Sequence, residues 1–104
     1  MVNHEKNKYK VRFLRKEIED FVKYLGVEKN YASNTILSYE RDLVKFSNFL
    51  DKKKVNDLIV IDSEIINLFI MELRHGDISG KSLQRYLSSI RVFFNFLIEN
   101  NQVK

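Results

Sequence analysis

The chain is 104 residues long, enough for one domain that buries a core of its own. It has no Cys, which excludes a disulfide framework and a thiolate metal site, and its first sixteen residues are too charged for a secretory signal. The net charge is +4, but residues 1–16 hold six Lys/Arg against one Glu, so the rest carries a net −1 and must be judged face by face.

No apolar run approaches the length of a membrane span, and a cytoplasmic location is expected. Residues 1–13 read as a basic, solvated tail, with a nucleic-acid-binding arm as the alternative. Proline is absent and glycine rare, as in a helical domain with short connections.

The first helix is predicted from about Arg15 to Lys29, with Ile18, Phe21, Val22 and Leu25 on one face. Gly26 either lies within it or marks its stop. The second begins around Ala32–Thr35, where Ser33 or a neighbour can cap the free N–H groups, and runs to about Asp51. Ile36, Tyr39, Leu43, Phe46 and Leu50 form its apolar stripe, and Asn34, Ser38, Arg41, Lys45 and Asn48 project from the opposite side. Lys52, Lys53 and Lys54 suit its carboxyl end. Segment 55–61 resembles a strand without a partner, and is expected to be an extended connector whose side chains cover the core.

A third helix is predicted to open at Asp62 or Ser63, with Ile65, Ile66, Phe69, Ile70 and Leu73 facing inward. Gly76 is placed to close it in the left-handed conformation. Ser79 can cap the fourth, in which Leu83, Leu87, Ile90, Phe94 and Leu97 repeat at helical spacing. Phe94 is expected in the core, where truncation to Ala would cost about 3–5 kcal/mol. The polar face holds Lys81, Arg85, Ser88 and Ser89, with Gln84 and Arg91 on a shoulder, and no Asp or Glu occurs from Lys81 to Ile98.

No catalytic constellation is visible. His4 and His75 have no second ligand nearby, and Glu17, Glu19, Asp20, Asp62 and Glu64 read as solvated helix surfaces and a helix start. The glycines are isolated, so no phosphate-cradling loop exists, and no cofactor is expected. The two polar helix faces remain. Cations mixed with short hydroxyl and amide side chains suit phosphates and base edges. On residues alone, a nucleic-acid-binding domain and a helical protein-interaction or regulatory module stand level.

Three segments carry a resemblance: Phe21-Val22-Lys23-Tyr24-Leu25 with Glu28-Lys29-Asn30, then Ala32-Ser33-Asn34-Thr35-Ile36-Leu37-Ser38-Tyr39-Glu40-Arg41-Asp42-Leu43, and finally Ser82 through Leu97. In order and separation they resemble the core-binding, SAM-like domain of tyrosine recombinases and phage integrases, over residues 14–101. Ala32 stands where many relatives carry a capping Ser.

The resemblance implies an all-α, four-helix bundle of two crossed hairpins that forms half of a clamp around duplex core-site DNA. It implies contacts from Thr35, Ser38 and Arg41 on the second helix, and from Lys81, Ser82, Arg85 and Ser89 on the fourth. Lys45, on the polar face of the second, joins that set. It further implies that the strand-cleaving residues, the nucleophilic Tyr among them, belong to a separate carboxy-terminal domain reached through a linker beginning near residues 102–104. None of Tyr9, Tyr24, Tyr31, Tyr39 or Tyr86 is then a nucleophile, and the partners are double-stranded DNA and other recombinase protomers.

Overall fold

The structure, a computed structural model, describes residues 13–100. The expected basic tail before Phe13 and the expected linker at 102–104 lie outside the described residues. Four α-helices occur among them: α1 (Arg15–Val27), α2 (Ser33–Lys52), α3 (Ser63–His75) and α4 (Gly80–Glu99), with a 3₁₀ turn at Leu58–Val60. There is no strand among the described residues, so the all-helical expectation holds.

The helix ends show where local chemistry decided the boundaries. Gly26 lies inside the last turn of α1 rather than after it. The chain turns instead at Asn30, which takes a left-handed φ of 55°, and the Tyr31 N–H donates to the Leu25 carbonyl at 3.0 Å. Helix α2 closes with Lys54 left-handed at φ 61°, its N–H bonded to the Asp51 carbonyl at 3.0 Å and that of Val55 to the Leu50 carbonyl at 2.9 Å. This pair of bonds is a Schellman closure that satisfies carbonyls the helix would otherwise leave open.

Two expectations about termini are corrected. Gly76 has φ −87°, and the left-handed residue after α3 is Asp77 at φ 63°. Aspartate tolerates that region better than most side chains. Helix α2 is capped by Ala32, which offers no side-chain acceptor, so Ser33 is already its first helical residue. By contrast, Asp62 and Ser79 act as expected: their side chains accept from the N–H groups of Ile65 and Ser82 at 3.0 and 3.1 Å. Replacing Ala32 by Ser should therefore stabilise the domain by about 1 kcal/mol. An unchanged denaturation midpoint in urea would refute that assignment.

Two groups of aromatic rings hold the helices together. Phe21 of α1 packs at 5.4 Å on Phe93 and 5.3 Å on Phe96 of α4, and at 6.1 Å on Tyr39 of α2. Phe69 of α3 packs at 5.0 Å on Phe46 and 5.1 Å on Phe49 of α2, and at 6.0 Å on Tyr86 of α4. Leu14, Leu25, Leu43, Leu50, Ile90 and Leu97 fill the space around them. The first group joins α1, α2 and α4. The second pins α3 to the α2–α4 pair.

The buried face of α4 is rotated from the expected one: Phe93, fully buried, is its central aromatic, and Phe94 is only partly covered. The connector is likewise less regular than a simple extended cover. Val55, Leu58 and Ile61 pack on the core, but the 3₁₀ turn between them leaves Ile59 81% exposed.

Candidate nucleic-acid interface

Helices α2 and α4 lie against each other, and six of the residues singled out from the sequence, Thr35, Ser38, Lys45, Ser82, Arg85 and Ser89, meet along their outer junction. Thr35, Ser38, Arg85 and Ser89, together with Tyr39 and Ser88, line one hollow. Lys45, Ser82 and Arg85 line a second, with Tyr86 and the end of α3. Arg85 belongs to both. Arg41 and Lys45 lie in a third depression further along α2, beside Glu40 and the Lys52–Glu72 ion pair. Lys81 is exposed on the first turn of α4 and lines none of these three.

The centre of this surface is a polar contact that reading the faces separately had missed. Asp42 of α2 is 1% exposed. Its carboxylate accepts from Arg85 Nε at 3.0 Å and Arg85 Nη2 at 2.8 Å, and from the Ser89 hydroxyl at 2.8 Å. A carboxylate taken so far out of water needs this many donors to remain in place. Helical arithmetic contained the signal. Asp42 follows Tyr39 by three residues and precedes Phe46 by four, so it falls on the apolar side of α2, where an acid must find a cation.

That contact changes two placements. Ser89 was expected on the outward polar face, but it is 1% exposed because it points at α2. Its single proton is shared between Asp42 and the Arg85 carbonyl, 3.0 Å away. Arg85 does reach the surface, with its side chain 49% exposed, but it arrives already paired. The hydrogen bond to Asp42, then their mutual attraction, raises its pKa further and outweighs partial burial, so it stays charged at every relevant pH. The guanidinium also lies over the Tyr86 ring, 5.2 Å from its centre.

The phenols at the rim stay protonated near neutral pH. Burial pushes Tyr39 up, Tyr31 adds to the shift, and the positive charge of Arg91 opposes it. Burial also raises Tyr86, with Asp42 reinforcing and Arg85 opposing. Arg91, exposed on the shoulder of α4, is the cation nearest in effect to Tyr39. No cluster of three or more metal-ligating side chains occurs among the described residues, and no described helix is long and apolar enough to cross a membrane.

The arrangement can do two things chemically. Exposed Lys and Arg around the junction can meet an anionic backbone, while Thr35, Ser38 and the outer edge of Arg85 present directional hydrogen-bonding groups between them.

Residues 18–101 match the family model described as phage integrase, N-terminal SAM-like domain. The chain is similar to tyrosine recombinase XerC of Anoxybacillus flavithermus, 34% identical over 80% of this chain and 28% of that protein. It is similar as well to tyrosine recombinase XerD of Staphylococcus saprophyticus, 38% identical over 78% of this chain and 28% of the relative. With tyrosine recombinase XerD of Rickettsia conorii the identity is 38% over 81% and 27%. The chain thus spans a little over a quarter of these relatives. No solved structure matches it significantly.

Proposed function

Because this chain belongs to the phage integrase N-terminal, SAM-like domain family, we propose that residues 14–101 are a duplex-DNA-binding module. In this reading the module clamps the core site on which a tyrosine recombinase acts. Residues 102–104 begin the linker to a separate catalytic domain, and residues 1–13 are a basic tail. This chain positions DNA, while strand breakage and rejoining belong to the other domain. The relatives' names and their greater length support that division.

One observation carries the proposal. Residues from two helices far apart in sequence, Thr35, Ser38 and Lys45 with Ser82 and Arg85, converge on adjoining hollows along one junction. The acid at its centre, Asp42, is buried beneath a cation rather than presented to solvent. Thr35, Ser38, Arg41, Lys45, Lys81, Ser82 and Arg85 are assigned to the DNA face, and Ser89 supports Asp42 from below.

Salt titration tests this reading. Each phosphate-neutralising cation releases condensed counterions, so log K falls with log salt by about 0.9 per contact. Wild type should bind a mixed-sequence duplex with such a dependence. Lys45→Ala/Lys81→Ala should weaken binding and make the slope shallower by about 1.8. No duplex binding at low salt, or a double variant indistinguishable from wild type, would sink the assignment and favour a protein-interaction module.

A further inference from the structure

We propose that Asp42 is a positioning residue that converts Arg85 from a phosphate-seeking cation into a fixed, directional reader of a guanine-like acceptor edge. The inference rests on the DNA-binding reading above and adds how one residue of that face recognises its target.

The geometry divides the guanidinium between two tasks. Arginine carries five N–H donors in a planar fork. The Nε/Nη2 edge is occupied by the Asp42 carboxylate, at 3.0 and 2.8 Å. The Nη1/Nη2 edge therefore points away from that carboxylate, on a side chain that is 49% exposed and borders both hollows. Two parallel N–H donors on that edge match the O6/N7 pair that guanine presents in the major groove. The Tyr86 ring beneath the guanidinium further restricts its swing.

Charge supplies the second half of the argument. A buried carboxylate in direct contact offsets the arginine's positive charge, so the pair as a unit is neutral. It offers little counterion release to a phosphate, whereas hydrogen-bond direction is untouched. Lys45 and Lys81 are exposed, and no described acid is paired with them, so they have the opposite character.

Two behaviours follow that a purely structural pin would not produce. Asp42→Asn keeps the side-chain shape but frees a positive charge at the surface. The salt slope should become steeper by about 0.9, and non-specific duplex binding should strengthen. Preference for guanine at one position, read by sequencing duplexes selected from a randomised library, should fall roughly tenfold or more. Arg85→Lys keeps the charge and loses the fork, so the slope should stay near wild type while the same preference is lost. Lys45→Gln should do the reverse, with a shallower slope and unchanged preference.

A readout without DNA accompanies these. In wild type the Arg85 Nε–H signal in nuclear magnetic resonance should be sharp and slow to exchange, and in Asp42→Asn it should broaden. The proposal is overturned if a folded Asp42→Asn keeps both the slope and the base preference. It is equally overturned if Asp42→Asn fails to fold and Arg85→Lys retains the preference. Duplex binding by wild type with these results removes the positioning role alone. No duplex binding by wild type removes the reading on which it rests as well.

Discussion

Phe93→Ala is expected to destabilise the domain by about 3–5 kcal/mol, more than any other single truncation in α4. The ring is fully buried and stands between the Phe21 ring at 5.4 Å and the Phe94 ring at 5.6 Å. Its loss opens a cavity where α1 meets α4, and the neighbouring Phe21 ring is held by Tyr24, Tyr39 and Phe96, so the site cannot collapse freely. For a domain of this size each kcal/mol lowers the midpoint of thermal unfolding by roughly 4–8 °C. Phe94→Ala should cost less than half as much, because that ring is only partly covered. Thermal and urea denaturation of the two variants side by side decide the matter. Equal losses would mean that α4 is rotated relative to the described packing.

The contrast between Phe93 and Phe94 shows what was legible in the sequence and what was not. Helix existence was legible because four segments repeat apolar residues near the helical period, and because Asp62 and Ser79 carry the acceptors a helix start needs. The exact buried arc of α4 was not. Phe93, Phe94, Phe96 and Leu97 are all apolar, so periodicity there allows two rotations, and only the positions of Phe21 and Phe69 on other helices choose between them. Helix closure was misjudged at Gly76 because glycine suits a left-handed turn wherever it stands. The turn itself falls one residue later, at Asp77, and nothing local announces that.

Site residues follow the same logic. Lys45, Arg85 and Ser38 could be chosen as polar positions opposite apolar stripes, Thr35 and Ser82 only through the family resemblance, and the fold brings all five to one junction. A stripe argument treats each helix alone, however, and so assigns every polar residue to solvent. Ser89 and Asp42 break that rule together: each is buried by the other helix, and each makes the other's burial tolerable. Neither is intelligible until both helices are in view. A polar residue within an apolar arc on one helix, opposite the acid-free run 81–98 of another, is the pattern that would have exposed them.

Breaking this contact from the arginine side is the second large effect expected. Arg85→Met leaves the Asp42 carboxylate buried with the Ser89 hydroxyl as its remaining described donor. Stranding one partner of a buried ion pair costs about 3–5 kcal/mol, and the half-exposed arginine places the expected loss near the lower end, at about 3 kcal/mol. Asp42→Leu/Arg85→Met should recover most of it, because removing both partners also removes the desolvated charge, and leucine branches at the same atom as the carboxylate it replaces. Ser89 is not orphaned in that double variant, since the carbonyl of residue 85 remains 3.0 Å from its hydroxyl. The coupling from the double-mutant cycle in urea should therefore be large, about 2 kcal/mol or more. Additive losses would mean that the carboxylate is rescued by water or by a rearranged neighbour, and that the pair is weaker than its 2.8 Å contact implies. A double variant as stable as wild type would show that the pair is dispensable to the fold, and its loss of base preference would place the Arg85 guanidinium itself in the reading of the duplex.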